Sequence, residues 1–277
     1  VYNNSDVNFF AGGQEATLNY KEWLKAGFDF ILTGFAEHSL FQICKLYHEY
    51  NDNFTKLKLD DVNGIVFYNG EGKLINNFQE KLTSDIFREY SYLQELKMDM
   101  PYEKYWSKMR QNYKLNPNSD RKFVIENVRL YTTSHCPRAC GFCSSQNFIR
   151  FSQNDKCSII MLSAEEIFDL ITFNINKYGA KSFLFSDDDF LVGNLIGISR
   201  IEKLCELIIE AKDKAIIPNE VLFNCQARIA DFISNKNRII RSDLIKLMKL
   251  AGFNSIGLGV ETFSDRLLKS PSINKVG

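Results

Sequence analysis

Three cysteines, Cys136, Cys140 and Cys143, fall within eight residues and space their thiols as C-x3-C-x2-C. Thiolates are soft ligands, so a group of this kind is read first as a metal site. A structural zinc site needs four ligands, and no second cysteine pair follows this one. His135 is the nearest further ligand, but it adjoins Cys136 and has little freedom to wrap the same ion. A chance group of core cysteines fits poorly, because Pro137, Arg138 and Gly141 make the segment a polar loop. Three thiolates on one short loop suit an iron–sulfur cluster in which one iron lacks a protein ligand. An iron left open can bind a small molecule, and the site is then reactive. A non-catalytic iron–sulfur or zinc module is the rival reading. The other cysteines (Cys44, Cys157, Cys205 and Cys225) are scattered, and Cys205 sits in an apolar helical stripe that predicts a buried thiol.

The elements around this loop have a regular order. The apolar run Val128–Tyr131 predicts a strand immediately before it. Ser163 and Glu166 form a capping box, and Ile167, Leu170, Ile171, Ile175 and Tyr178 follow at helical spacing until Gly179. Further strands are predicted at Ser182–Phe185, Val221–Cys225 and Ser255–Gly259. Helices between them are marked by Ile198, Ile201, Leu204, Cys205 and Ile208, then by Leu244, Ile245, Leu247 and Met248. Alternating strands and helices predict a parallel α/β sheet with right-handed crossovers.

The N-terminal part predicts strands at Val7–Ala11 and Asp29–Thr33, with helices at Lys21–Ala26 and Ser39–Tyr50. Ile65–Tyr68 and Lys73–Ile75 flank the turn-forming run Asn69 to Gly72 and predict a β-hairpin. From Met98 to Glu126 the chain is polar and aromatic, with one helical piece at Tyr102–Tyr113. These patterns divide the chain into 1–50, an α/β piece; 51–126, a connector with a hairpin and helices; and 127–277, the strand–helix repeat.

Composition narrows the function classes. Lys plus Arg and Asp plus Glu are both 34, so no net field favours nucleic acid or an anionic membrane. No apolar run reaches the roughly 18 residues of a spanning helix, and no signal-peptide pattern opens the chain. Seven cysteines without such a signal argue against a disulfide framework. The expected setting is soluble and cytoplasmic.

The C-x3-C-x2-C spacing, with Phe142 just before the last cysteine and a strand just ahead of the loop, resembles the signature of the radical S-adenosylmethionine (SAM) enzymes. The resemblance implies a partial (β/α) barrel and a [4Fe-4S] cluster held by Cys136, Cys140 and Cys143, with Phe142 near the adenine. It implies that SAM chelates the open iron and is cleaved by one electron to a 5′-deoxyadenosyl radical. A reductant of flavodoxin or ferredoxin type is implied with it.

Active sites of β/α barrels form at the C-terminal ends of the strands. Here those ends carry Ser186-Asp187-Asp188-Asp189, Gln226-Ala227-Arg228 and Gly259-Val260-Glu261-Thr262. Taken singly, the Asp run reads as a solvated turn or helix cap and Arg228 as a surface ion-pair partner. Placed together on the cluster's rim, they are candidates for SAM. Arg228 can fork onto a carboxylate, and carboxylates can accept from an ammonium or a ribose. The segment Phe183–Phe190 resembles the family's contact to the methionine amino group, with Asp188 and Asp189 as the choices. The segment Gly257–Leu268 resembles the one whose Glu, here Glu261, approaches the ribose. Gln226 completes the set.

Phe9–Thr17, with Gly12 and Gly13, and Ala26–Glu37 resemble the final strands of a cobalamin-binding domain, which precedes the barrel in the cobalamin-dependent branch. The paired glycines would let backbone approach a nucleotide tail, although they also suit a plain tight turn. The D-x-H-x-x-G motif that supplies a cobalt ligand in some relatives is absent from these residues. Methyl transfer to an unactivated carbon, or a radical rearrangement or cyclisation, is the implied reaction class, and the small-molecule or peptide substrate is not written in the sequence.

Four barrel strands are countable, and a six-stranded barrel needs two more β-α units, on the order of 60–80 residues. The chain therefore reads as a piece of a longer enzyme, its last strand an open parallel edge. The 277 residues expressed alone are expected to aggregate and to turn over no substrate. Size-exclusion chromatography and a thermal melt check this; a monodisperse, cooperatively melting chain that cleaves SAM reductively would contradict it.

Overall fold

The computed structural model describes residues 8–50, 59–79, 81–115, 125–153, 158–234, 236, 238–271 and 273. They form two compact units, one of residues 1–83 and 138–158, the other of 84–137 and 159–277.

In the first unit, β1 (Phe10–Ala11) leads through two short helices, α1 (Gly13–Leu18) and α2 (Tyr20–Lys25), to β2 (Phe30–Leu32), with which it pairs in parallel. Helix α3 (Glu37–Glu49) follows, then β3 (Ile65–Tyr68) and β4 (Leu74–Asn77). The sheet order is β1-β2-β3-β4, with β3 antiparallel to both neighbours. Burial on both faces of the central strands explains the arrangement. Phe30, Leu32, Ile65 and Phe67 pack with Ile43 and Val62 on one side, and Ile31 and Val66 pack with Ala16 and Leu24 on the other. The hairpin therefore belongs to the first sheet, not to a connector beginning at residue 51. Its turn is held by Asn69, whose side chain accepts from the N–H groups of Glu71 (3.1 Å) and Lys73 (2.9 Å). The predicted start of a strand at Val7 lies outside the described residues.

The second unit opens with α4 (Ser84–Arg88), α5 (Tyr102–Leu115) and β5 (Asn127–Leu130). The chain then contributes α6 (Ser144–Gln153) to the first unit. It returns as α7 (Ala164–Tyr178), β6 (Ser182–Phe185), α8 (Leu195–Asp213), β7 (Leu222–Ala227), α9 (Ser242–Ala251), β8 (Phe253–Leu258) and α10 (Asp265–Leu268). The sheet β5-β6-β7-β8 is parallel throughout. The capping box at α7 is formed: Glu166 N–H donates to Ser163 Oγ (3.1 Å) and Ser163 N–H to Glu166 Oε2 (2.8 Å). Gly179 ends that helix in the left-handed region (φ 72°).

Aromatic side chains register the strands of this sheet. Phe183 stacks on Phe223 (5.7 Å between centroids), Phe185 on Phe190 (4.3 Å), and Phe253 lies 5.5 Å from Phe223. Ile167, Leu170 and Ile171 of α7 and Ile201, Leu204, Cys205 and Ile208 of α8 are buried completely. Cys205 is the inert core thiol its helical stripe predicts, its pKa pushed by burial to about 12. Along β8 only Phe253 is buried, and β8 pairs with β7 alone among the described residues. No helix of the described residues is long and apolar enough to cross a membrane.

Removal of a fully buried ring should expose how much the sheet relies on this stack. Phe223→Ala is expected to lower unfolding free energy by about 3–5 kcal/mol in urea titration. Phe263→Ala, at a ring 96% exposed, should change it by less than about 0.5 kcal/mol.

Candidate functional site

The C-terminal edge of the parallel sheet begins with Thr132 and Thr133, just past β5. Both are tied to Asp187, just past β6. Asp187 Oδ1 accepts from the N–H groups of Thr132 (2.7 Å) and Thr133 (2.5 Å) and from Thr133 Oγ1 (2.8 Å). Its Oδ2 accepts from Thr132 Oγ1 at 2.9 Å. Arg200, buried on α8, donates through Nη2 to the Phe190 carbonyl (2.6 Å) and through Nη1 to the Thr132 (3.3 Å) and Leu162 (3.4 Å) carbonyls. Its guanidinium lies over the Phe190 ring. Burial lowers the Arg200 pKa to about 10, against the pull of Asp187. Burial raises that of Asp187, opposed by Arg200 and by the threonine donors.

This network fixes where the chain leaves β5 for Ser134, His135 and Cys136. Ser134 is held on both sides, its N–H donating to the Ile160 carbonyl (2.9 Å) and its Oγ accepting from Ile160 N–H (3.0 Å). His135 is buried with Nδ1 2.9 Å from Ser134 Oγ, so the nearest alternative metal ligand is engaged elsewhere.

Cys136 falls in the second unit, Cys140 and Cys143 in the first; none of the three is in a disulfide, and all are half-buried. The N–H of Cys143 donates to the Cys140 carbonyl at 3.1 Å, a turn that leads into α6. Gln14 of α1 secures the start of that helix, donating to Ser145 Oγ (3.2 Å) and accepting from Ser144 Oγ (3.0 Å). Phe142 is 47% exposed, open to a flat partner. Among the described residues no three His, Cys, Asp or Glu side chains are gathered closely enough to hold a metal ion. The donor chemistry, three thiols outside any disulfide on one loop, suits thiolate ligation of iron.

The remaining candidates lie past β6, β7 and β8 on the same edge of the sheet, except Gln226, within the end of β7. Asp188, Gln226 and Glu261 are exposed. The Arg228 side chain is 13% exposed and lies 4.0 Å from Asp231. Glu261 has φ 62°, a left-handed backbone that costs a non-glycine residue on the order of 1 kcal/mol. Asp189 is fully buried, so it has no surface to offer a ligand, and the expectation of direct contact is corrected. The chain bends over residues 188–190, with Asp187 and Asp189 buried and Asp188 exposed. Asp189 Oδ1 accepts from Val192 N–H at 3.2 Å, and the Asp189 carboxyl faces Asp231.

Gly12 and Gly13 stand in the first unit at the start of α1. Gly13 has φ +88°, and a Cβ built there meets nothing within 4 Å, so the backbone is open to a bound group. Gly34 differs, since its Cβ position is filled by Gln79 and Ser152 and serves packing. Arg200 and Asp231 escaped the sequence reading, which took Asp187 only as one of the Asp run on the rim. An arginine inside the apolar stripe of α8 was the available signal for Arg200.

The profile of the radical SAM superfamily matches residues 130–275. No curated protein matches the chain. The fold resembles the cobalamin-dependent SAM radical enzyme OxsB, solved with aqua-cobalamin and SAM bound. The TM-score is 0.60 at 19% identity, over 94% of this chain and 32% of that one. It also resembles the radical SAM methyltransferase TsrM from Kitasatospora setae, solved with cobalamin and a [4Fe-4S] cluster. Here the TM-score is 0.60 at 11% identity, over 97% of this chain and 45% of that one. The chain thus spans less than half the length of either.

Removing the carboxylate at the centre of the network should be severe. Asp187→Ala leaves the buried N–H and hydroxyl donors of Thr132 and Thr133 without their acceptor and is expected to cost about 3–5 kcal/mol in denaturant unfolding. Iron retained per chain after reconstitution should fall with it, because the exit toward Cys136 loses its anchor.

Proposed function

This chain belongs to the radical SAM superfamily, and on that premise we propose that it is the cluster-bearing part of a cobalamin-dependent radical SAM enzyme. The observation that carries the reading is an alignment of chemistry with topology. A three-thiol loop follows the first strand of a parallel sheet, and the next three strands end in a carboxylate, a guanidinium and another carboxylate on the same edge.

Cys136, Cys140 and Cys143 would hold a [4Fe-4S] cluster. When bound, that cluster supplies the electron that divides SAM into methionine and a 5′-deoxyadenosyl radical, the electron coming from a flavodoxin- or ferredoxin-type donor. Arg228 would donate to the SAM carboxylate, and its limited exposure strengthens that bond by excluding water. Asp188 would accept from the ammonium, and Glu261 from the ribose hydroxyls, its left-handed backbone holding the carboxylate out from the end of β8. Gln226 can donate and accept beside them. Phe142 would cover one face of the adenine.

Cobalamin would sit against Gly12 and Gly13, where the backbone of Gly13 is free of side-chain cover. The likeness to OxsB and TsrM supports this assignment. The reaction is then methyl transfer to an unactivated carbon, or a radical rearrangement or cyclisation, on a small-molecule or peptide substrate.

Two measurements separate these assignments. Cys140→Ala should abolish cluster incorporation after anaerobic reconstitution, from about four irons per chain to near none. Full iron retention, or zinc as the sole metal, would remove the cluster reading. Gly13→Val should weaken retention of hydroxocobalamin on a desalting column while iron content stays at the wild-type level; equal retention would remove the glycine pair from the cobalamin site.

A further inference from the structure

We propose that Asp189 and Asp231 share a single proton beneath Arg228, and that loss of this proton weakens binding of the SAM carboxylate by that arginine. The inference rests on the proposed role of Arg228.

Both carboxyls are out of water: Asp189 has no exposed surface and Asp231 is 1% exposed. They come from different elements, Asp189 from the turn after β6 and Asp231 from the short 3-10 helix Ile229–Phe232 after β7. Two carboxylates in contact without water cannot both ionise cheaply, so one retains a proton and donates it to the other. Asp189 is the member with room for that proton. Its Oδ1 is occupied by Val192 N–H, while its buried Oδ2 has no donor. Asp231 is the better anion, since its Oδ2 accepts the Arg228 N–H at 2.9 Å and its Oδ1 faces the guanidinium.

The charges around the pair are few. Arg228 faces it from the end of β7 and Arg200 from α8, while Asp187 and the Cys225 thiol lie beside it from β6 and β7. Burial, then Asp231, raise the Asp189 pKa from 3.8 to about 7. The sign follows. The folded chain keeps this proton where the unfolded chain has lost it. The stability it lends is complete below about pH 4 and is lost as pH rises through about 7. The same deprotonation matters at the rim. With one proton, Arg228 is offset by one carboxylate and keeps attraction for an incoming anion. Without it, two negative charges oppose that anion from below. A unit charge a few ångströms away at an effective dielectric near 20 is worth on the order of a tenfold or larger change in affinity.

The intact, cluster-loaded protein tests this, with SAM binding followed by anaerobic calorimetry without reductant from about pH 6 to about pH 8.5. Wild type should lose affinity on the order of tenfold more than Asp189→Asn does over that range. Asparagine keeps the Oδ1 acceptor for Val192 and donates to Asp231 as the protonated acid would. The amino group of SAM titrates equally in both proteins, so the difference reports the pair. The melting temperature of wild type should also fall, relative to the variant, across the same range. Should Asp189→Asn not fold, Asp189→Ser removes the same ionising carboxyl and must give the same flattening. Coincident pH profiles in wild type and variant would overturn the shared proton. Arg228→Ala tests the underlying reading separately: it should weaken SAM binding by on the order of thirtyfold or more at every pH, and unchanged affinity would overturn the role of Arg228 itself.

Discussion

A buried carboxylate that gathers four donors from the neighbouring strand end is the constraint on which the rest of the rim depends. Asp187 takes the N–H and hydroxyl groups of both Thr132 and Thr133, and Arg200 closes the arrangement on the carbonyl side. A parallel sheet fixes its strands through slanted ladder bonds, which stop at the strand ends. Beyond that point something else must set the path of the chain. Here the hydrogen bonds to Asp187 and from Arg200 do so, because buried polar groups tolerate little displacement from their partners. The segment whose path it sets is the one that carries Cys136.

Beneath the rim, the phenylalanines of β6, β7 and β8 give the sheet a rigid floor. They leave the polar residues no direction but outward or into specific pairs. The Asp triplet shows the division. Asp188 is exposed, while its two neighbours are buried in the fold, Asp187 against the end of β5 and Asp189 against the turn after β7. Acidic residues that look equivalent in sequence thus separate into one exposed carboxylate and two buried supports.

Much of this was legible before the fold. The capping box at Ser163, the strand at Ser182–Phe185 and the burial of Cys205 follow from local chemistry and period, and the structure has all three. Two features were not legible. The hairpin Ile65–Asn77 was recognised, but its membership of the first sheet depends on an edge of β2, a long-range partner that periodicity does not reveal. Helix α6 was hidden because Ser144-Ser145-Gln146-Asn147 reads as a loop, and its helix is secured by Gln14, about 130 residues earlier. Within the site, the burial of Asp189 depends on a bend after β6, which strand period does not mark. Its pairing with Asp231 requires β6 and β7 to be neighbours.

The central claim is that the three-cysteine loop leaves one iron open for SAM. Electron paramagnetic resonance of the reduced, reconstituted protein tests it most directly, recorded with and without SAM labelled with oxygen-17 in its carboxylate. The account predicts a shifted cluster spectrum on addition, with resolved coupling to the labelled oxygen in the associated double-resonance spectrum. An unchanged spectrum without that coupling, from a protein with its full complement of iron, would contradict it.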